Sequence, residues 1–390
     1  MPTINPQRLL DDLNTLRDFG RHGNGVIRPS LSPIDLEARR WLRERMQDAG
    51  LDAQIDGIGN VIGRSPNPGK AVLIGSHSDT QPTGGWLDGA LGVIYGLEVT
   101  RALGEDNATK HLAVDPVSWI DEEGTFLGCY GSKAFCGLLE ESEYAKAENA
   151  QGVKLSDALA DAGLSGQPAR PEPGRYIGYI EAHIEQGAYL ENDQKKIGVV
   201  TGIVGSRNYI IRFIGQQNHA GTTPMPIRRD AGQALIDFAY HINKRFEKYC
   251  GPRTVWTMGN ITLHPGAPSV IPGRAELRLQ FRDPDLQRLQ ALEAQVTELT
   301  AKINQAGNIE ISVEAAGKPS MPALMDEALQ NHIAEAAETH ASGRWQRMPS
   351  AAIHDAMYLV EIMPSAMLFI PSIDGISHDF AENTSDEDIV

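Results

Sequence analysis

The chain has 390 residues, 41% of them hydrophobic and 22% charged, with a formal net charge of −16. One compact core does not organise that length well, so two domains are expected. The negative sign speaks against nucleic acid and an anionic membrane surface as partners, while local cations or metals in a cleft still admit a small anionic substrate.

No apolar run approaches membrane-spanning length. The opening stretch MPTINPQRLLDDLNTLRDFG is amphipathic and mixed in charge, without the basic start and apolar core of a signal peptide. Cys129, Cys136 and Cys250 are odd in number and lack CxxC spacing, which reads as reduced thiols in a cytoplasmic protein.

In chain order, helices are expected over 7–18 and 34–49, the second with Leu36, Trp41, Leu42 and Met46 at helical spacing. Apolar runs follow, each ending in a polar, Gly-containing or acidic loop. Residues 71–75 (AVLIG) lead into Ser76-His77-Ser78-Asp79, and 117–120 (VSWI) into Asp121-Glu122-Glu123-Gly124. Residues 176–180 (YIGYI) lead into Glu181-Ala182-His183, and 367–371 (MLFIP) into a loop reaching His378. Such Val/Ile/Leu-rich runs suit strands buried on both faces of an α/β sheet, with crossover helices such as 91–103 between them. Ligand sites in these sheets lie beyond the carboxyl ends of the strands.

The stretch from 208 to 316 reads differently. Strands are expected at 209–214, 255–263, 275–281 and 309–313, and helices at 227–246 and 286–304. The first helix carries Ala231, Ala234, Leu235, Phe238, Ile242 and Phe246 on one stripe. The order β-α-β-β-α-β is that of a ferredoxin-like α+β unit. It interrupts a larger α/β domain, giving parts 1–207 and 317–390 around an insert at 208–316, with hinges near 202–206 and 317–322.

Taken singly, the polar loops are ordinary turns. Together they offer five candidate ligands: His77, Asp88, Glu123, His183 and His378. Imidazole and carboxylate without thiolate suit zinc or a similar divalent ion. Three imidazoles and two carboxylates hold two metals if one carboxylate bridges, a recurring hydrolytic device.

Six ordered motifs carry a resemblance. They are Gly75-Ser76-His77-Ser78-Asp79-Thr80, the run from Gly84 through Asp88 to Val93, Glu122-Glu123-Gly124, His183-Ile184-Glu185-Gln186-Gly187, the run from His219 to Met225, and Gly375-Ile376-Ser377-His378. Spanning residues 8–390, they resemble the amidase, hydantoinase/carbamoylase family, within the clan of di-metal aminoacylases and exopeptidases. The resemblance implies a mixed-sheet di-metal exopeptidase-like catalytic domain with an inserted dimerisation (lid) domain. It implies a homodimer and two divalent ions per subunit, zinc first, with manganese, cobalt or nickel as alternatives. It implies hydrolysis of a C–N bond in a carboxylate-bearing ureido or amide substrate such as an N-carbamoyl amino acid, allantoate or ureidoglycolate.

By the same resemblance, Asp88 bridges the metals, His77 and His183 complete one site, and Glu123 and His378 the other. Glu122 matches the general base that takes the attacking water's proton. Asp79 matches a carboxylate that fixes an imidazole tautomer. His219 matches an oxyanion-stabilising group donated to the partner subunit's site. Gln186 matches a substrate-contacting amide, and Arg282 an arginine that grips the substrate carboxylate. Ser269 stands where the family carries a substrate-contacting Asn, and Gln280 where it carries Asp, so substrate recognition departs from the usual pattern. The family also continues past Val390 into a last helix.

Rival readings have less behind them. A Cys or Ser–Lys amidase built on Cys129, Cys136 or Ser132-Lys133 lacks a marked base. A non-enzymatic relative is expected to lose ligands or base, and none is lost. An aminoacylase or dipeptidase of the same clan is the nearest alternative, but His183 and the HIEQG motif favour the carbamoylase branch.

Overall fold

The computed structural model describes residues 2–390. The chain divides into two units. One runs up to Thr201 and resumes over Leu324–Val390; the other is Gly202–Ala323.

The first unit opens with α1 (Pro6–Asp18) and α2 (Pro33–Asp48). Each starts with proline behind a side-chain cap, Asn5 and Ser32 accepting from the N–H of Arg8 and Asp35. That pairing satisfies a first-turn N–H and presets φ. Then come β1 (Asp52–Ile55), β2 (Val61–Arg64), β3 (Ala71–His77), α3 (Ala90–Glu105), β4 (Ala113–Trp119), α4 (Tyr130–Cys136), β5 (Tyr176–Ile184) and β6 (Ile197–Ile203). The strands form a mixed sheet, parallel across β12-β5-β3-β4, where β12 is Ser365–Ile370 in the returning segment. Antiparallel β2 and β1 extend it beyond β4, and β6 beyond β12. Leu9, Leu13, Leu42, Met46, Leu91, Ile94 and Leu97 pack the helices α1 to α3 into one core.

The expected run at 176–180 ends too early: β5 continues through Glu181 and His183 to Ile184, pairing in parallel with β12. A charge inside a strand reads as a strand end because ionisable groups are seldom fully buried. Here Glu181 is buried, with its oxygens accepting from Ser76 Oγ (2.6 Å) and the N–H of Ala356 (2.8 Å).

The second unit contains β7 (Gly205–Ile214), α5 (Ala231–Tyr249), β8 (Val255–His264), β9 (Arg274–Asp283), α6 (Leu286–Ala306) and β10 (Glu310–Ala315). Its antiparallel sheet has the order β8-β9-β7-β10, as a β-α-β-β-α-β unit produces. Phe213, Leu235, Phe238, Phe246, Leu277, Phe281, Leu292 and Val296 fill its core. The helix expected from Ile227 begins at Ala231, because Asp230 accepts from the N–H groups of Gly232 and Gln233 and caps it there. Ile227 sits in an exposed 3-10 turn. The chain re-enters the first unit through α7 (Glu327–His340) and β11 (Trp345–Ser350), then β12.

Candidate active site

The carboxyl ends of β3, β4, β5 and β12 carry the polar cluster, where an open α/β sheet is expected to bind ligands. His77 is the last residue of β3, and His183 lies one residue from the end of β5. Glu122 and Glu123 follow β4, and His378 follows β12. Asp88 comes from the loop before α3.

These groups form two sets that share a carboxylate: His77, Asp88 and His183, then Asp88, Glu123 and His378, with the potential ligand atoms of each set within 4.8 Å of one another. Asp88 Oδ1 lies 3.0 Å from His183 Nε2 and 3.5 Å from His77 Nε2, while Oδ2 lies 3.3 Å from His378 Nε2. His77 Nδ1 faces the carbonyl of Asp79 at 3.1 Å, and His183 Nδ1 that of Ile184 at 2.9 Å. Both Nδ1 atoms therefore donate, which leaves the Nε2 atoms that face Asp88 as the ligating positions. The N–H of Gly89 points at His183 Nε2 (3.1 Å), consistent with a lone pair there. Ring nitrogens and carboxylates gathered in one cluster suit a divalent cation among them. Gln186 Oε1, a buried acceptor with no donor among the described residues, is also at the cluster.

Burial by itself raises the Asp88 carboxyl, but the imidazoles of His183, His378 and His77 outweigh it and hold it well below the usual range. Burial pushes Glu123 up to about 7, assisted by Asp88. The Asp88 carboxylate lifts His378 to about 9. Glu123 is oriented by Gln81, whose N–H and Nε2 donate to its two oxygens at 3.2 and 2.7 Å.

Glu122 belongs to neither set. Its Oε2 is 3.6 Å from His77 Nε2, and its side chain is 9% exposed. Burial first, then Asp355, Glu123 and Asp88, raise its carboxyl well above the ordinary value against the opposing pull of His77. A basic carboxyl beside a ligand cluster is the arrangement proton transfer needs.

Asp79 departs from expectation. Its backbone carbonyl, not its carboxylate, takes the His77 Nδ1 proton, the nearest carboxylate oxygen being 3.7 Å away. The carboxylate instead accepts the N–H groups of Glu122 (3.4 Å) and Glu123 (3.2 Å) and so positions the acidic loop. Buried Arg39, paired with Asp35 at 2.9 Å, supplies positive charge 4.0 Å behind it.

Two glycines are required here. Gly89 has φ 67°, and a Cβ on it would strike the His77 ring at 2.5 Å. A Cβ on Gly85 would fall within the carboxylate of Glu382. Buried Glu382 accepts the N–H groups of Leu87 (3.3 Å) and Asp88 (3.1 Å) and the Ser377 hydroxyl (2.8 Å), clamping the Asp88 loop to the His378 loop. Sequence reasoning misses Glu382 and also His354, whose buried ring meets His183 edge-on at 4.5 Å. Burial and the neighbouring His183 hold His354 well below the usual imidazole range, so it is neutral. The His354-Asp355 pair just after a strand is the signal that could have found it.

Gln186 donates from Nε2 to Asp88 Oδ2 at 3.0 Å, which brings it into the cluster. The other expected residues belong to the second unit. His219 is exposed, and its Nδ1 accepts the N–H groups of Gly221 (3.0 Å) and Thr222 (3.2 Å), leaving Nε2 as the donor of the neutral ring. The carbonyl of Ser269 accepts the N–H of Ala220 at 2.9 Å, which places Ser269 beside His219. Arg282 Nε donates to Gln280 Oε1 at 3.2 Å, and Gln280 Nε2 donates to Asn208 Oδ1 at 2.6 Å.

Comparison with known proteins gives these features a context. The model of peptidase family M20/M25/M40 matches residues 73–390. A crystal structure of an amidase (hydantoinase/carbamoylase family) from Burkholderia phymatum superposes with a TM-score of 0.94 at 54% identity, covering 100% of this chain and 95% of that one. The N-carbamoyl-L-amino acid amidohydrolase of Geobacillus stearothermophilus is 33% identical over 99% of this chain and 95% of its own. The allantoate amidohydrolase of Escherichia coli K12 is 32% identical over 98% and 94%. With its mixed sheet, its ligand sets at the strand ends and these matches along its length, the chain belongs to peptidase family M20/M25/M40 and, within it, to the hydantoinase/carbamoylase amidases.

Proposed function

We propose that the chain is a metal-dependent amidohydrolase that cuts a C–N bond in a small, carboxylate-bearing ureido or amide compound of the N-carbamoyl amino acid, allantoate or ureidoglycolate type. One observation carries the reading: two ligand sets share Asp88, and Glu122 stands beside them outside both. His77 and His183 with Asp88 hold one ion, and Glu123 and His378 with Asp88 the other. Zinc is the ion proposed, with manganese, cobalt and nickel suited to the same donors. Such ions, when bound, polarise the scissile carbonyl and acidify the attacking water. Glu122 takes the proton and passes it to the leaving nitrogen. Arg282 grips the substrate carboxylate, and Gln186 and Ser269 contact the remainder.

The test is a screen of metal-loaded protein against ureido and N-acyl acids, with ammonia and amine release read separately. Ureido hydrolysis yields both. Amine alone would move the chain to the aminoacylase type, and turnover that survives chelation would overturn the metal mechanism.

Metal loading should release protons. At pH 7 the His378 imidazole, at about 9 without metal, carries a proton, and Glu123, at about 7, carries part of one. Both must leave before the groups can ligate, so apparent affinity rises with pH through this range. Calorimetric zinc titration in buffers of different ionisation enthalpy measures the release; none at pH 7 would argue against these ligands.

The second unit is proposed as a dimerisation and lid domain. Its sheet ends on β8, an edge strand carrying exposed Val255, Ile261 and Leu263, and α5 exposes Ile236 and Tyr240. An edge with such apolar side chains favours a protein partner, here a second copy of the chain. His219 then donates Nε2–H to the oxyanion in the partner's site. Mixing inactive His219→Ala with inactive Glu122→Gln should restore partial activity through hybrid dimers; mixed dimers that stay inactive would exclude donation in trans. Cytoplasmic residence is proposed from the three unpaired cysteines, and no helix among the described residues is long and apolar enough to cross a membrane.

A further inference from the structure

We propose that Cys129 is a positioning residue that aims the Glu122 carboxylate through a thiol hydrogen bond. The inference rests on the reading of Glu122 as general base and adds a group to its machinery. Cys129 Sγ lies 3.5 Å from Glu122 Oε1. Among the described residues no other side chain donates a hydrogen bond to that oxygen, and Oε2 faces His77 at 3.6 Å. A glutamate has three rotatable bonds, so a carboxylate without such an anchor samples several directions.

The backbone fixes the thiol. The N–H groups of Cys129, Tyr130 and Gly131 donate to the carbonyls of Glu122 (3.1 Å), Asp121 (3.2 Å) and Ile120 (2.8 Å). The start of α4 is thereby knitted to the acidic loop. Cys129 itself has φ 56° and ψ 35°, the left-handed region that favours glycine. Glycines stand nearby at 124, 128 and 131, yet this position holds a cysteine whose side chain reaches the base. Backbone strain of this kind collects at functional sites. Cys129 is 2% exposed, and burial keeps its thiol protonated, as a donor must be. A thiol is a weak donor. It sets the direction of the carboxylate without strongly favouring the charged form, so the oxygen remains a competent base. The plain alternative is a small apolar side chain filling space.

The experiment compares Cys129→Gly, Cys129→Ala and Cys129→Ser in metal-loaded enzyme, with Glu122→Gln alongside. Glycine relieves the left-handed backbone, so that variant should fold at least as well as the wild type by thermal melting. Its kcat should nevertheless fall roughly tenfold, the scale of one lost hydrogen bond, with KM and metal content unchanged. Alanine should behave likewise, and serine should recover part of kcat because it keeps a donor. Wild-type kcat in the glycine or alanine variant overturns the proposal. A fall in kcat matched by loss of metal also overturns it, because Cys129 would then be holding the ligand loop. Glu122→Gln reports on the underlying reading: if that variant turns over normally the base is misassigned, whereas an inactive Glu122→Gln beside fully active Cys129 variants refutes the thiol's role alone.

Discussion

Replacing Glu122 with glutamine should leave both metal sites filled and lower kcat by about two to four orders of magnitude, the usual contribution of a positioned proton-transfer group. Glutamine matches the shape of glutamate and keeps an oxygen for the Cys129 thiol, but it cannot accept a proton. Glu122 lies outside both ligand sets, so metal content should not change. Its carboxyl is pushed above the ordinary value by burial and by Asp355, Glu123 and Asp88, which makes it a stronger base than a solvated glutamate. The same environment favours the neutral amide, so the variant should melt no lower than the wild type. Because proton transfer is lost and binding is not, the loss should sit in kcat, with KM little altered. Metal analysis and steady-state kinetics on one preparation check this, and a loaded variant with normal kcat would remove Glu122 from the mechanism.

Arg282→Met should reduce kcat/KM for carboxylate-bearing substrates by about 30-fold to several thousand-fold, the range for losing one partner of a charged hydrogen-bonded pair. The guanidinium is held at Nε by Gln280, itself held by Asn208. This side-chain relay orients the fork without adding negative charge. Burial lowers the Arg282 pKa, but guanidinium remains charged at any working pH. Lysine should rescue poorly, since it offers a point charge in place of a bidentate fork. A substrate whose carboxylate is masked as an amide should lose far less. Equal losses on charged and masked substrates would show that Arg282 supports the fold and does not bind the carboxylate. Ser269→Asn, which restores an amide donor at the other proposed substrate contact, should favour simple N-carbamoyl amino acids over the native substrate.

Much of this arrangement is legible in the sequence because apolar runs end where the polar residues begin. His77 and His378 stand out for that reason, and the ferredoxin-like order of the second unit follows from alternating helical and strand patterns. The unread parts share one physical cause, distance along the chain. Glu382 looks like any surface acid until Gly85 leaves room for its carboxylate. Glu181 reads as the end of a strand because its burial depends on Ser76 and Ala356. The family resemblance implies a carboxylate–imidazole pair between Asp79 and His77, yet the backbone carbonyl is nearer to Nδ1 than the carboxylate is. Periodicity also overlooks left-handed backbone at residues that are not glycine, as at Cys129, Gln186 and His378.

The Glu382 clamp has a consequence for how the protein is made. Its carboxylate reaches the N–H of Asp88 across 294 residues of chain, and the whole second unit is synthesised in between. At ordinary translation speeds of about 5–20 residues per second, the Asp88 loop waits roughly 15–60 s for its clamp and for the His378 ligand. Closing so long a loop must precede the contacts that reward it, so the complete ligand set forms late in folding. A ribosome-bound chain ending before residue 378 holds His77, Asp88, Glu123 and His183 but lacks the imidazole and the clamp that finish the second set. The complete ligand set is therefore available only after the chain has returned to its first unit, and any activity that depends on it waits for that closure.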